Sequence, residues 1–473
     1  MRQFIAILLC MSSCAAQAGP PIDGQPDNLF GGGANGIASV EFNLTPSPYD
    51  SARSLVRTNE GKLMMLAQAR ALVSGDPLFR IGLARFNADG TPDLSFSGDG
   101  KIIPSTPNPE FDYHPFDLAT RSDGKYFVLA SRNMLSNQSA PAVMHICRYN
   151  VAGNLDTTYN GTGCNNPVIG IIEGSPGIAY RMAVLNDGSV LVAGQVDVDP
   201  NPAISFSGFV YKLTPEGVQD PVFGANLAYV LLKPPGCEWC SPGGIEAAAD
   251  GGAYVFGSNQ FSISWVAKIL ANGNLDPAFG AGGYALFSYA NLHNIVNPRE
   301  LTHSASRDSQ GRLYHCGVIQ VGNNNNQRLI AIARLTAAGN LDTGFSVDGR
   351  VLMPFNDVLP NSDLDRCKVD AQDRLVVSVE VGGGDGLSSD YGVMRFLPNG
   401  DLDPTFNFSG TAMRAVNLGG VVQQGHDITA GLAIDATGVI VAGTSNSSNA
   451  LTPLRKLTMV RFGEDRLLVD GFE

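Results

Sequence analysis

The sequence predicts an all-β fold, a seven-bladed β-propeller of four-stranded antiparallel blades closed by pairing of the amino- and carboxyl-terminal segments. Three observations carry this. A two-part unit returns every 60-odd residues along the chain, each unit holds two hairpin signals, and the two chain ends carry complementary fractions of one unit.

One half of the unit reads Ala/Val-Arg/Lys-aromatic or Leu, then Asx/Ala-Gly-x-Leu-Asp-x-x-Phe-x-x-x-Gly. It occurs at residues 84–100, 147–163, 211–224, 267–283, 333–349 and 394–410. Its acids Asp93, Asp156, Asp220, Asp276, Asp342 and Asp403 lie 63, 64, 56, 66 and 61 residues apart. A pitch held that closely marks an array of like units.

The other half is a short apolar run, a turn, and a second run. Its turns centre on Glu60-Gly61, Asp123-Gly124, Asp187-Gly188, Asp250-Gly251, Gln310-Gly311, Gln372-Asp373 and Thr437-Gly438. An Asx-Gly pair supplies the positive φ of a two-residue type I′ hairpin, and the β-branched flanks suit strands. Two hairpins per unit make four strands. Four short strands cannot bury both faces alone, so neighbours must stack, and a propeller is the economical arrangement. Gln372-Asp373, without the turn glycine, and Gly217-Val218-Gln219-Asp220, without the leucine, are expected to mark irregular blades.

The ends complete the count. The segment from Asp27 to Gly33, DNLFGGG, matches only the last part of a unit, whereas residues 431–461 supply its first three strands. Joined, they give a seventh blade shared between about 26–44 and 431–467 within a single domain spanning 19–473.

Residues 82–96 (GLARFNADGTPDLSF) and 187–194 (DGSVLVAG) resemble the repeat of the bacterial delta-60 repeat proteins, over nearly all of the chain after its first 18 residues. The resemblance implies a propeller-like protein of the cell envelope or the medium. It implies no shared activity.

The amino terminus reads as an export signal: Arg2, an apolar stretch from Phe4 through Met11, and Ala16-Gln17-Ala18 as a cleavage site before Gly19. A lipoprotein reading through Cys14 competes, weakened because Met11 stands where Leu or Val is usual. No later stretch is apolar for long enough to span a bilayer. With 44 acids against 31 bases, the chain suits a protein outside the cytoplasm and argues against nucleic acid as partner.

Cys10 and Cys14 fall in the export segment, leaving Cys147, Cys164, Cys237, Cys240, Cys316 and Cys367. An even count in an exported chain points to disulfides. Proximity and the blade arrangement favour Cys147 with Cys164, Cys237 with Cys240, and Cys316 with Cys367, the last joining adjacent blades. In Cys237-Glu238-Trp239-Cys240 the flanking Pro234-Pro235-Gly236 and Ser241-Pro242-Gly243-Gly244 describe a loop, not the helix start that a redox dithiol needs. No second pair or nearby His completes a zinc set, so this pair is expected to pin a loop with Trp239 at its tip.

The stretch Asn87-Ala88-Asp89-Gly90-Thr91-Pro92-Asp93 has oxygens at alternating positions but lacks the bidentate acid of a calcium loop. Only its last acid recurs in all six full units, which suits a side chain capping turn amides. Metal binding is left open at the unrepeated Asp197-Val198-Asp199 and at Gly384-Asp385-Gly386 with Asp390. His114, His293, His303 and His426 fall in variable stretches on one rim, while His145 and His315 fall in strands and are assigned to packing. No catalytic motif accompanies them.

Function is expected where the repeat is broken. Phe111, Tyr113 and His114, in an aromatic stretch suited to stacking on sugar rings, and Trp239 form the candidate contact surface. The expected function is a non-catalytic binding propeller for a protein or glycan at the cell envelope, with no cofactor. The alternatives are an envelope hydrolase or lyase with its site at the channel mouth, and a structural part of a surface assembly.

Overall fold

The computed structural model describes residues 23–463 except 34, 46–48, 74–75, 107–110, 135–142, 170–176, 198–205, 238, 240, 260–261, 293–294, 296–297, 322–326, 356–361, 383–387, 417–425 and 447–454. Residues 1–22, where the sequence predicts an export signal, therefore lie outside the described residues. So do Glu238, Cys240 and His293.

In chain order the strands are β1 (Ile37–Val40), β2 (Ser51–Arg57), β3 (Leu63–Val73), β4 (Asp76–Phe86), β5 (Lys101–Ile102), β6 (Phe111–Thr120), β7 (Tyr126–Met134), β8 (Val143–Tyr149), β9 (Cys164–Asn165), β10 (Ile178–Val184), β11 (Val190–Asp197), β12 (Phe206–Leu213), β13 (Tyr229–Leu232) and β14 (Ser241–Ala247). They continue as β15 (Ala253–Ser258), β16 (Ser264–Ile269), β17 (Tyr284–Phe287), β18 (Arg299–Arg307), β19 (Leu313–Val321), β20 (Gln327–Leu335), β21 (Arg350–Met353), β22 (Asp363–Val369), β23 (Leu375–Gly382), β24 (Ser389–Phe396), β25 (Thr411–Arg414), β26 (His426–Asp435), β27 (Gly438–Asn446) and β28 (Arg455–Gly463). Helix is confined to two short 3-10 turns among the described residues.

Five four-stranded antiparallel sheets, β2–β5, β6–β9, β10–β13, β14–β17 and β18–β21, each follow chain order. The sixth sheet has eight strands: β22–β25, then β26–β28 with β1, joined by a single parallel pair, Ser389 with His426. In it β1 pairs antiparallel with β28, Ile37 opposite Val460 and Val40 opposite Leu457. The first strands pack in the order β2, β6, β10, β14, β18, β22, β26 and back to β2. This is a β-propeller. Its second and third strands are buried almost continuously, as sheets covered on both faces must be, and each apolar cluster is shared by neighbouring sheets. Val210 and Leu191 of one sheet, for example, pack in one cluster with Val255 and Trp265 of the next.

Six of the seven hairpins between first and second strands differ from the two-residue expectation, while at β26–β27 Asp435 pairs with Gly438 across two residues. Arg57 pairs with Leu63 across five residues, the Gly61 amide donates to the Thr58 carbonyl (2.9 Å), and only Gly61 has positive φ (79°). That is a type I turn followed by a left-handed glycine, which needs one permissive residue, not two. Neither irregularity expected from the sequence occurs. Asp373 adopts φ 59° in place of glycine and its carboxylate accepts from the Ser309 amide and hydroxyl of the neighbouring sheet (2.9 and 2.6 Å). At Gly217 the turn closes normally, with the Thr214 amide on the Val218 carbonyl at 2.8 Å.

Cys147 and Cys164 face each other across β8 and β9 and are joined by a disulfide. A second disulfide ties Cys316 of β19 to Cys367 of β22 in the next sheet. It closes 51 residues of chain, a loop for which removed chain entropy corresponds to about 4 kcal/mol. Cys237 is also disulfide-bonded. The loop expected after Cys240 is shorter than its Pro-Gly content suggests, because Ser241 already opens β14.

Candidate functional site

Every first strand carries a β-bulge at the same register. The pairing skips one residue between Ala52 and Ser54, Pro115 and Asp117, Ala179 and Arg181, Pro242 and Gly244, Thr302 and Ser304, Leu364 and Arg366, and Thr429 and Gly431. A bulge bends its strand and re-aims the side chains beside it. Except at β23, the second strand accommodates it with a small residue: a Cβ at Gly194, Gly317 or Gly443 would stand 2.0 Å from a first-strand carbonyl oxygen. The skipped residues are Arg53, Phe116, Tyr180, Gly243, His303, Asp365 and Ala430, which share a position and no chemistry.

Below the bulges the first strands enclose a cavity of about 580 Å³, lined among others by Asp117, Arg181, Glu246, His303, Arg366 and Lys368. Asp117 is an architectural acid. It accepts from the Ser54 hydroxyl (3.2 Å) and from the Leu118 and Met182 amides (both 3.0 Å), tying three sheets together. The basic groups are less fully engaged. Arg181 donates to its neighbour's carbonyl at Tyr180 (3.0 Å), and Arg366 to Asp365 Oδ1 (3.0 Å) and the Asp365 carbonyl (3.2 Å). Burial and the facing charge of Arg366 push Arg181 down to about 10. Burial lowers Lys368 as well, and burial raises Glu246 against the opposing pull of Arg307 and Lys368.

At the upper end of this wall, His303 Nε2 lies 3.7 Å from Asp363 Oδ1, and Arg328 is paired with the same carboxylate. Asp363 stands opposite Glu380 in the β22–β23 register. Burial and the Asp363 charge push Glu380 up to about 7. Burial, with Asp390 and Glu380 nearby, does the same to Asp427, also to about 7. Asp427 has a structural task that recurs: it accepts from the Val416 amide (2.7 Å), as Asp50 does from Phe42 (2.8 Å) and Glu300 from Tyr289 (2.9 Å).

These opposite shifts predict a stability maximum on the acidic side of neutrality. A carboxyl with a raised folded pKa binds protons more readily when folded, so its contribution is present near pH 4 and lost as pH rises through about 7. The turn acids Asp93, Asp156, Asp220 and Asp403 behave in reverse: burial opposes their ionisation, but hydrogen bonds and basic partners outweigh it and hold them low. Their contribution is present above about pH 4 and lost in acid. Asp427→Asn is expected to flatten the decline in denaturation midpoint between pH 5 and 8 while leaving the loss below pH 4 intact. An unchanged slope from 5 to 8 would assign the decline to other groups.

The contact surface expected from the sequence is only partly surface. Tyr113 is fully buried, its ring 4.9 Å from that of His145, so it supports the strand from within and offers no contact. Phe111 and His114 are half-buried; His114 sits between Asp112 Oδ2 (3.0 Å) and Gln68 Nε2 (3.3 Å). Trp239 is half-buried. His114, His303 and His426 lie in first strands, not in variable loops. His145 and His315 are buried in strands, and burial pushes them down to about 4 and about 3. His145, Cys147 and Cys164 gather possible metal-binding atoms, but the two sulfurs are committed to a disulfide.

The repeated acid caps its turn throughout, as in the Ser95, Thr158 and Thr405 amides on Asp93, Asp156 and Asp403 (3.1, 3.2 and 2.9 Å). What sequence reading missed is its partner eight residues earlier. Arg85, Arg148, Arg334 and Arg395 each pair through Nε with that acid (2.6 to 2.8 Å) and lie over the aromatic ring three residues beyond it. Arg461 with Asp27 and Phe30 repeats the triad across the two chain ends, with Nε 2.8 Å from Asp27 Oδ2.

Repeated sheets, triads and bulges define the chain as a β-propeller of repeated units. Three of its stretches, residues 72–96, 319–345 and 381–406, match the family described as a domain of unknown function (DUF5122) beta-propeller. Each stretch ends on or next to a triad: Phe96, Phe345 and Phe406 are their last residues. No curated protein matches the chain. Solved structures that resemble it include the α-L-arabinofuranosidase Arb93A of Fusarium graminearum, at 9% identity and TM-score 0.43 over 90% of this chain and 97% of that one. The α-L-arabinanase of Penicillium chrysogenum gives 8% and 0.41 over 90% and 98%. The propeller domain of the Trilobed protease of Pyrococcus furiosus gives 9% and 0.43 over 90% and 99%.

Proposed function

We propose that this chain is an exported, non-catalytic seven-bladed propeller that binds a glycan or protein partner at the cell envelope through its central channel. The seven-blade count treats the eight-stranded sheet as two blades touching through one residue pair, and it closes the ring with β1 on β28. Export, with cleavage after Ala18, is supported by the terminal pattern and by disulfides, which persist in oxidising compartments. Among the described residues no helix is long and apolar enough to cross a membrane. Phe111, His114 and Trp239 belong to the proposed contact surface.

The binding reading is carried by the bulge ring. The repeat dictates where each bulge falls but leaves its side chains free, and a position fixed in space and free in chemistry is where selection can build a site. Adjacent bulge residues Phe116 and Tyr180 meet edge to face at 6.1 Å, and the cavity beneath holds charged groups of both signs. The test is a glycan array and envelope-extract capture with the mature protein and with Thr120→Trp, which fills the cavity from its wall. The variant is expected to keep its circular dichroism spectrum and lose the ligand. Ligands captured equally well by both proteins would place binding elsewhere.

The enzyme reading rests on Glu380, pushed up to about 7 by burial and by Asp363, the carboxylate that also faces His303 and Arg328. Such a pair of unlike carboxyls is the arrangement that acid–base hydrolysis uses. Turnover of an envelope glycan that Glu380→Gln abolishes would favour it over simple binding.

A further inference from the structure

We propose that the channel cavity selects an acidic sugar, a uronic acid unit whose carboxylate lies between Arg181 and Arg366 and whose ring hydroxyls donate to Glu246. This rests on the channel-binding reading and names its ligand class. Arg181 comes from β10 and Arg366 from β22, three blades apart on the proposed ring, yet the two guanidinium groups lie near enough to repel each other across the cavity. Lys368 adds a third cation that also feels Arg366. Like charges converging on one enclosed space are unfavourable unless something anionic comes between them.

The acids present offset this only in part, Asp117 and Asp365 acting on Arg181 and Glu246 on Lys368. Both oxygens of Asp117 are occupied by Ser54 and by backbone amides. Asp365 gives Oδ1 to Arg366, its sequence neighbour, and its other oxygen is buried with no hydrogen-bond partner among the described residues. Of five guanidinium N–H groups, Arg181 commits one to the Tyr180 carbonyl. The cavity therefore offers unused donors from two arginines together with the Glu246 carboxylate that lines it. Inorganic phosphate or a simple carboxylate would answer the arginines and leave Glu246 unmet. A sugar acid answers both, because its hydroxyls donate where its carboxylate accepts. A volume near 580 Å³ admits one or two sugar units.

Calorimetric titration of the mature protein with digalacturonate, the matching neutral galactobiose, and inorganic phosphate tests this. Digalacturonate is expected to bind, and to bind about tenfold or more tightly than galactobiose or phosphate, the scale of one charge-assisted contact. Arg181→Met and Arg366→Met should each weaken it by a similar factor. Arg366→Lys, which keeps the charge and loses the fork, should weaken it less and steepen its salt dependence. Equal affinity for the acidic and neutral sugars, both blocked by Thr120→Trp, would overturn the acidic-sugar assignment and keep the channel as the binding site. Phosphate binding as tightly as digalacturonate would reduce the ligand to any anion and overturn it as well. No binding of any of the three by a folded protein would also overturn it, and if no array ligand depends on Thr120 either, the channel reading falls with it.

Discussion

Replacing Arg395 by methionine is expected to destabilise the protein by about 3–5 kcal/mol, the usual result of removing one partner from a buried ion pair. The Arg395 side chain is fully buried, with Nε 2.8 Å from Asp403 Oδ2 and Nη1 3.2 Å from Asp23 Oδ1. Methionine matches its apolar stem, so packing is largely kept while two carboxylates lose their counter-charge. The pH response separates this from a packing defect. A carboxylate left unpaired in such a site takes up a proton more readily, so the deficit in urea denaturation should narrow between pH 7 and pH 4. A deficit that is constant with pH, or below about 1 kcal/mol as for an exposed pair, would show that the triad does not hold this sheet in place.

That triad shows what could be read from the letters and what could not. The acid was legible because it recurs at a constant pitch, and so was its capping of the turn. The basic residue eight positions earlier recurs as faithfully, as Arg85, Arg148, Lys212, Lys268, Arg334 and Arg395, with Arg461 taking the same place opposite Asp27, but linear reading treats it as the polar half of a strand. Only folding brings it back over the acid and the aromatic ring. Lys268 also shows the limit of the pattern, since it reaches Asp250 (2.7 Å) in the preceding turn.

All-β content, antiparallel four-stranded sheets and the propeller class followed from the repeat, because strand periodicity and pitch are local properties. Turn type did not: an Asx-Gly pair serves a two-residue turn and a type I turn with a left-handed glycine equally well, and strand register decides between them. The bulge ring had a signal that went unused. Ala67, Ala130, Gly194, Gly257, Gly317 and Gly443 stand opposite the bulges, so the small residue ending the second apolar run marks each one. At β23 Val379 takes that place, so the signal fails at one sheet. The channel charges had no signal at all. Arg181, Glu246, His303 and Lys368 are single residues in four different units, and nothing in a one-dimensional pattern brings them together.

Deleting residues 23–42, so that Ile22 joins Asn43, is expected to abolish stable folding, the largest effect foreseen here. The deletion removes β1 and leaves the edge of β28 without its partner over Leu457 to Val460. An unpaired strand edge next to an open apolar face is a template for aggregation. Buried Phe30 and Phe42 go with it, each worth about 1.5–3 kcal/mol of burial. So do the counter-charges that Asp23 and Asp27 provide to Arg395 and Arg461. The decisive arm is complementation. If ring closure by strand pairing is what holds the last blade, a separate peptide of residues 23–44, supplied during refolding, should restore a monomeric, cooperatively unfolding species. Ile37→Pro in that peptide should prevent rescue, because proline lacks the amide that a paired strand donates. A truncated chain that stays monomeric with an unchanged denaturation midpoint would mean that the sheets hold together without closure, and the seven-blade reading of the terminal strands would be lost.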